Sequence, residues 1–344
     1  MKRNTILVAL AVVLAGGLAW FFSQKKATPK LSEVAQSLQS DPQLIKLSAQ
    51  LAEDPDNDSL LYRRAEVYYG LDAYDEAIQD LTRAIQLDSM RPAYYHLLAD
   101  TYLDYARPND SRNAINTLVT AERKFPGRIP TLLKLSEFQL IVRQHSDALT
   151  TLDKILQQDP QNGDAFFLTG RVALDKGDTI RAIVALRKAV QFDSGIKDAW
   201  MFLGKIYSER DNPLALQCFD NALRLDSTDL EAREYKGVYY KRRGEHQKAF
   251  AVYRDIILRN PDYANAYFDL GMLYLELDSV PKAYTHFDIA IKSDPLFVKA
   301  YYYRGVASEA MGNKDAALGY YTQASKMAPG YVEAKDAKAR LEKK

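Results

Sequence analysis

The chain has 344 residues, with 46 lysines and arginines against 45 aspartates and glutamates. That near balance leaves no net field and excludes a partner chosen by bulk charge, such as a nucleic acid or an acidic lipid surface. A single cysteine, Cys218, excludes an internal disulfide framework and any cysteine-based metal cluster within the chain.

The first element in chain order is an apolar run. Lys2 and Arg3 precede an uncharged stretch from Ile6 to Phe22, and Lys25, Lys26 and Lys30 follow it. The pattern predicts an export signal over residues 1–26, either cleaved or kept as a single-pass transmembrane anchor. Trp20, Phe21 and Phe22 beside the lysines fit an interfacial aromatic belt with snorkelling cations, which favours the anchor. It places the C-terminal body on an exported, periplasmic or extracytoplasmic side. Cleavage after Ala19 would instead give a secreted protein. Residues 27–57 read as a linker and a degenerate capping hairpin, with amphipathic pieces at Leu31–Leu38 and Pro42–Ala52.

From Asp58 the chain repeats. In the stretch Ala264 to Phe297, apolar and small residues fall at Tyr267, Leu270, Gly271 and Tyr274, then at Ala283, Phe287 and Ala290. Both halves have helical spacing. The break between them, Asp278-Ser279-Val280-Pro281, holds a helix cap and an early proline. The small residue opening the second helix recurs at Ala77, Ala114, Ala148, Ala182, Ala215, Ala249, Ala283 and Ala317, at spacings of 37, 34, 34, 33, 34, 34 and 34. A second small column runs Ala65, Ala99, Ser136, Gly170, Gly204, Gly237, Gly271, Gly305. A bulky column runs Leu81, Leu118, Leu152, Leu186, Phe219, Tyr253, Phe287, Tyr321. Small residues are needed where two helices cross closely.

This period and these small and bulky columns, with a closing column that holds Pro126, Pro160, Pro261, Pro295 and Pro329, resemble the tetratricopeptide repeat (TPR). The resemblance implies an all-α fold, a right-handed TPR superhelix of eight helix-turn-helix units over residues 58–331. The second unit carries a turn insertion at Ala106–Asp110, and the fifth is one turn residue short near Asn212-Pro213. Residues 332–344 read as a charged capping helix, with Ala334, Ala337 and Leu341 available to cover the last repeat.

No catalytic constellation is apparent. His96, His145, His246 and His286 lack metal-ligand spacing, and the glycines of the second column belong to helix crossings rather than to a phosphate loop. No metal, cofactor or enzymatic activity is expected. Cys218, beside Phe219, fits a buried small apolar side chain.

The resemblance further implies that the first helix of each hairpin lines a concave groove. One turn off the packing columns stand Phe167 and Arg171, Met201 and Lys205, Phe268 and Met272, then Tyr302, with Tyr235 and Tyr303 nearby. Exposed apolar side chains in a continuous concave row mark a binding surface. The same residues also suit a second role, filling the interior of a tightly wound superhelix. TPR proteins that grip a chaperone's C-terminal carboxylate carry a Lys/Asn pair, an Asn and a Lys/Arg pair on successive first helices, and the matching positions here do not supply that set. The expected function is a non-catalytic scaffold, membrane-tethered or exported, that binds a protein or peptide segment in the groove. The alternative is a structural, self-associating envelope assembly protein.

Overall fold

The structure, a computed structural model, describes residues 40–343. The described residues form helices and turns without a strand, and they divide into two compact units between Ile196 and Lys197. The first unit opens with α1 (Pro42–Glu53) and continues as four hairpins. These are α2 (Asp58–Gly70) with α3 (Tyr74–Leu87), α4 (Pro92–Tyr105) with α5 (Asp110–Lys124), α6 (Ile129–Ile141) with α7 (His145–Gln158), and α8 (Gly163–Asp175) with α9 (Thr179–Phe192). The second unit holds four more: α10 (Lys197–Glu209) with α11 (Leu214–Leu225), α12 (Leu230–Arg242) with α13 (His246–Arg259), α14 (Ala264–Glu276) with α15 (Val280–Ser293), and α16 (Val298–Ala310) with α17 (Lys314–Met327). It closes with α18 (Val332–Glu342). Each unit is an all-α solenoid in which a hairpin packs on its neighbours.

Helices begin where the sequence supplies a cap or a proline. Asn57, Asn162, Asp178 and Asp229 accept hydrogen bonds from the backbone N–H groups of Leu60, Ala165, Arg181 and Ala232, satisfying donors that a helix start leaves free. Proline occupies the first turn of α1, α4, α6 and α15, where its missing N–H costs nothing. Seven of the eight hairpins then turn through one residue of left-handed backbone, two places past the first helix: Asp72, Arg143, Gly177, Asp211, Gly244, Asp278 and Gly312, with φ between 51 and 82°. The turn insertion of the second hairpin is held differently. Asp110, almost fully buried, accepts the Arg107 backbone N–H at 3.0 Å and its Nε at 3.1 Å.

The columns meet inside each hairpin. Gly204, Gly237, Gly271 and Gly305 lie against the rings of Phe219, Tyr253, Phe287 and Tyr321. A methyl group added at Gly271 would stand 2.5 Å from Cε1 of Phe287, a ring with no solvent-exposed surface. At the ends, α1 buries Leu44, Leu47 and Leu51 on the first hairpin, and α18 buries Ala334, Ala337 and Leu341 on the last. Arg340 of α18 adds a bond to Glu309 at 2.7 Å. Cys218 is buried on α11, and burial pushes its thiol up to about 12.

Among the described residues no helix is long and apolar enough to cross a membrane. The longest, α5, has 15 residues and spans about 22 Å, against a hydrocarbon core of about 30 Å. This corrects the expectation of a membrane-tethered or exported protein. The signal or anchor that it rested on, residues 1–26, lies outside the described residues, as do residues 27–39 of the expected linker.

Two glycines separate close packing from simple helix propensity. Gly319, exposed within α17, has no neighbouring atom within 4 Å of an added methyl group. Gly319→Ala is expected to raise the urea midpoint, by up to about 1 kcal/mol of stability. Gly271→Ala is expected to lower it, because overpacking costs about 1–3 kcal/mol and outweighs the propensity gain.

Candidate functional site

The first helices of successive hairpins adjoin: α2, α4, α6 and α8 in the first unit, and α10, α12 and α14 in the second. They present one continuous helix face in each unit. In the first unit Phe167 and Arg171 are half-buried on α8, with the guanidinium carbon 5.8 Å from the ring centroid and Nη1 3.7 Å from Glu137. Upstream on the same face, Lys134 Nζ lies 2.6 Å from Asp100, and His96 Nε2 lies 2.9 Å from Thr131 Oγ1. Burial, with Lys134 and Arg128 nearby, pushes His96 down to about 4, so it is neutral at pH 7. The charges of this face are largely spent on one another.

In the second unit the expected residues fall into two groups. Lys205 and Tyr235 belong to a polar part: Lys205 Nζ lies 2.8 Å from Glu231 and 4.5 Å from the Tyr235 ring centroid. Burial works against the Lys205 charge, but Tyr235 and Glu231 hold its pKa above the usual lysine value. Phe268, Tyr302 and Tyr303 form a chain of rings. Phe268 contacts Phe287, Phe297 and Tyr303 at centroid distances of 5.6, 5.0 and 5.6 Å. Tyr302 contacts Tyr303, Tyr321 and Tyr331 at 5.1, 5.5 and 5.3 Å. Met272 packs beside Phe287, and Met201 is only 5% exposed. The apolar side chains are therefore half-buried or buried rather than a continuous exposed row, because each ring fills space beside the small-residue columns.

The most unusual group on this face was not among the expected site residues. Asp269 of α14 is 7% exposed, and its Oδ2 has no protein hydrogen-bond partner. Burial first, then the carboxylates Glu234 and Glu276, push it up to about 8, while Lys241 and Lys299 pull the other way. Glu234 of α12 accepts the Tyr263 hydroxyl at 2.6 Å and the Asn265 amide at 3.1 Å, and burial raises its pKa as well. Lys241 Nζ stands 3.9 Å from Glu276. The 33- or 34-residue register carried a signal for Asp269. The equivalent positions of the neighbouring hairpins are Phe202, Tyr235 and Tyr303, three aromatics around one carboxylate.

Among the described residues no group of three or more His, Cys, Asp or Glu could hold a metal. His145 is partly buried and bonded to Asp175.

Stacked helical hairpins with a small-against-bulky crossing, capped at both ends by single helices, define an α-helical repeat scaffold. A Tetratricopeptide repeat family model matches residues 142–199, 207–265, 242–295 and 268–332, and a second of the same description matches 58–89. The chain belongs to the tetratricopeptide repeat family. Tetratricopeptide repeat protein 6 of Homo sapiens is 23% identical over 239 residues, covering 70% of this chain and 39% of that protein. Hsp70-Hsp90 organizing protein 3 of Arabidopsis thaliana is 24% identical over 197 residues, covering 54% of this chain and 34% of that one. The chain thus spans well under half the length of these relatives. The crystal structure of a tetratricopeptide repeat protein from Parabacteroides merdae superposes with a TM-score of 0.56 at 19% identity, covering 72% of this chain and 98% of that one. It shares the fold. None of these matches brings in a membrane, so neither a membrane partner nor an exported location enters the functional reading.

The raised Asp269 makes stability fall with pH. The unfolded carboxyl ionises near 4, whereas the folded one holds its proton to about pH 8. Its stabilising contribution is full below about pH 4 and is lost as pH rises toward 8. Thermal melts at pH 5 and pH 8.5 should show the wild type losing melting temperature relative to Asp269→Asn, in which that slope is absent.

Proposed function

We propose that the chain is a non-catalytic scaffold that holds a polypeptide segment of a partner protein against the first-helix face of its second unit, around Lys205, Tyr235, Phe268, Met272 and Tyr302. One observation carries this reading. The hairpins meet their own packing needs through the fully buried small and bulky columns, while these side chains stand one turn off the columns, partly exposed and held in place by neighbours. Lys205 clamped between Glu231 and the Tyr235 ring is a charged group whose position is set before any ligand arrives. Such preordering lowers the entropy lost on binding. In the first unit, Phe167 and Arg171 offer a smaller surface of the same kind. The name of the organizing protein among the relatives fits a scaffold role.

Peptides selected from a random display library on the whole chain test this reading. Lys205→Ala/Met272→Ala keeps Phe268 in its ring chain and adds no buried charge, and its melting curve verifies that the fold is kept. Enrichment of the selected peptides should fall at least tenfold on this variant. Equal enrichment on both proteins would remove the second-unit face as the site.

A further inference from the structure

We propose that the segment held on this face carries a basic side chain, lysine or arginine, whose charged head seats between α12 and α14 on Asp269 and Glu234. The inference rests on the groove reading above and specifies its ligand.

The two helices are tied at two levels. Glu234 meets Tyr263 and Asn265 at one, and Lys241 meets Glu276 at the other. Asp269 lies one helical turn beyond Asn265 and two turns before Glu276, so it falls between the ties. A buried carboxylate oxygen without a donor is costly, because it has lost its water and gained nothing in return. The unit's own cations do not relieve it. Lys205 is engaged with Glu231, Lys241 approaches Glu276, and Glu234 receives only neutral donors. Lys299 of α16 is exposed, and its pull on Asp269 is outweighed by burial and by Glu234 and Glu276. Beneath, on α13, the buried hydroxyl of Tyr253 also lacks a protein partner and lies within the field of Asp269, Glu234 and Glu276.

The occupant is therefore chosen by charge. Four carboxylates (Glu231, Glu234, Asp269 and Glu276) stand with three lysines (Lys205, Lys241 and Lys299), and of the four only Asp269 has a buried oxygen without a donor. An acidic group placed there would add to the excess of carboxylates, whereas an ammonium or guanidinium offsets it and donates to Asp269 in a charge-assisted bond. Met272 and Val238, half-buried beside the carboxylates on α14 and α12, suit the aliphatic stem of such a side chain. Because Asp269 holds a proton at neutral pH, seating a cation there displaces that proton to solvent.

Three display libraries of random dodecapeptides, identical except for a fixed central lysine, leucine or glutamate, are panned on the whole chain. The wild type is expected to enrich the lysine library at least tenfold over the other two, and Asp269→Asn to abolish the preference. Asn is isosteric with Asp, and its melting curve verifies the fold; Glu234→Gln serves as a second variant and should weaken the same preference. A recovered lysine peptide, titrated calorimetrically at pH 7 in two buffers of different ionisation enthalpy, should release close to one proton. Its norleucine counterpart should bind at least tenfold more weakly. Equal enrichment of all three libraries, lost on Lys205→Ala/Met272→Ala, would keep the groove and overturn the basic side chain. A lysine preference that survives in Asp269→Asn would also overturn it. No enrichment from any library would overturn both readings.

Discussion

The close crossing of the two helices within each hairpin sets the rest of the structure. Where the first helix has glycine, at Gly204, Gly237, Gly271 and Gly305, the second brings a full aromatic ring against its backbone. Where the first helix keeps alanine or serine, at Ala65, Ala99 and Ser136, the matching residue is only leucine, Leu81, Leu118 and Leu152. In seven of the eight hairpins the two columns trade volume, the exception being Gly170 against Leu186, and the crossing stays tight in each even as its residues change. That tightness brings successive first helices into contact, and their contact creates the face on which Lys205, Glu234 and Asp269 stand. Close packing of this sort resists small changes on either side.

The fold was legible because its cause is local and periodic. A side chain that must be small every 34 residues leaves a mark that no tertiary information is needed to read, and caps such as Asn162 and Asp229 mark the helix starts in the same way. The face was legible only in part. Whether Met201 or Phe268 meets solvent depends on how far the rings of adjoining hairpins reach, and that is a property of the stack. Phe268 is flanked by three other rings because Phe297 and Tyr303 arrive from the following hairpin. Asp269 shows the reverse. Its oddity could be read by aligning it with Phe202, Tyr235 and Tyr303, but its lack of a partner could not, since that depends on Lys241 turning toward Glu276.

The two units treat charge differently. In the first, cations and carboxylates on the first helices find each other, as Lys134 does Asp100, and His96 is driven neutral by burial between them. In the second, one aromatic position has become a carboxylate, and the neighbouring charges do not neutralise it. An array built by repetition acquires individuality through such single departures, because the other copies preserve the geometry around the altered one.

The left-handed residue in the hairpin turns has a separate consequence. Gly177, Gly244 and Gly312 accept that backbone freely, but Asp72, Arg143, Asp211 and Asp278 hold it with a side chain present, at a strain of about 1 kcal/mol or more each. These four residues are in turns, outside the α12–α14 ties, so the strain they store is independent of the proposed binding face. Durability and recognition are thus written in different parts of the hairpin. An array of this design can be toughened for a hotter setting through its turns alone, with its choice of ligand untouched.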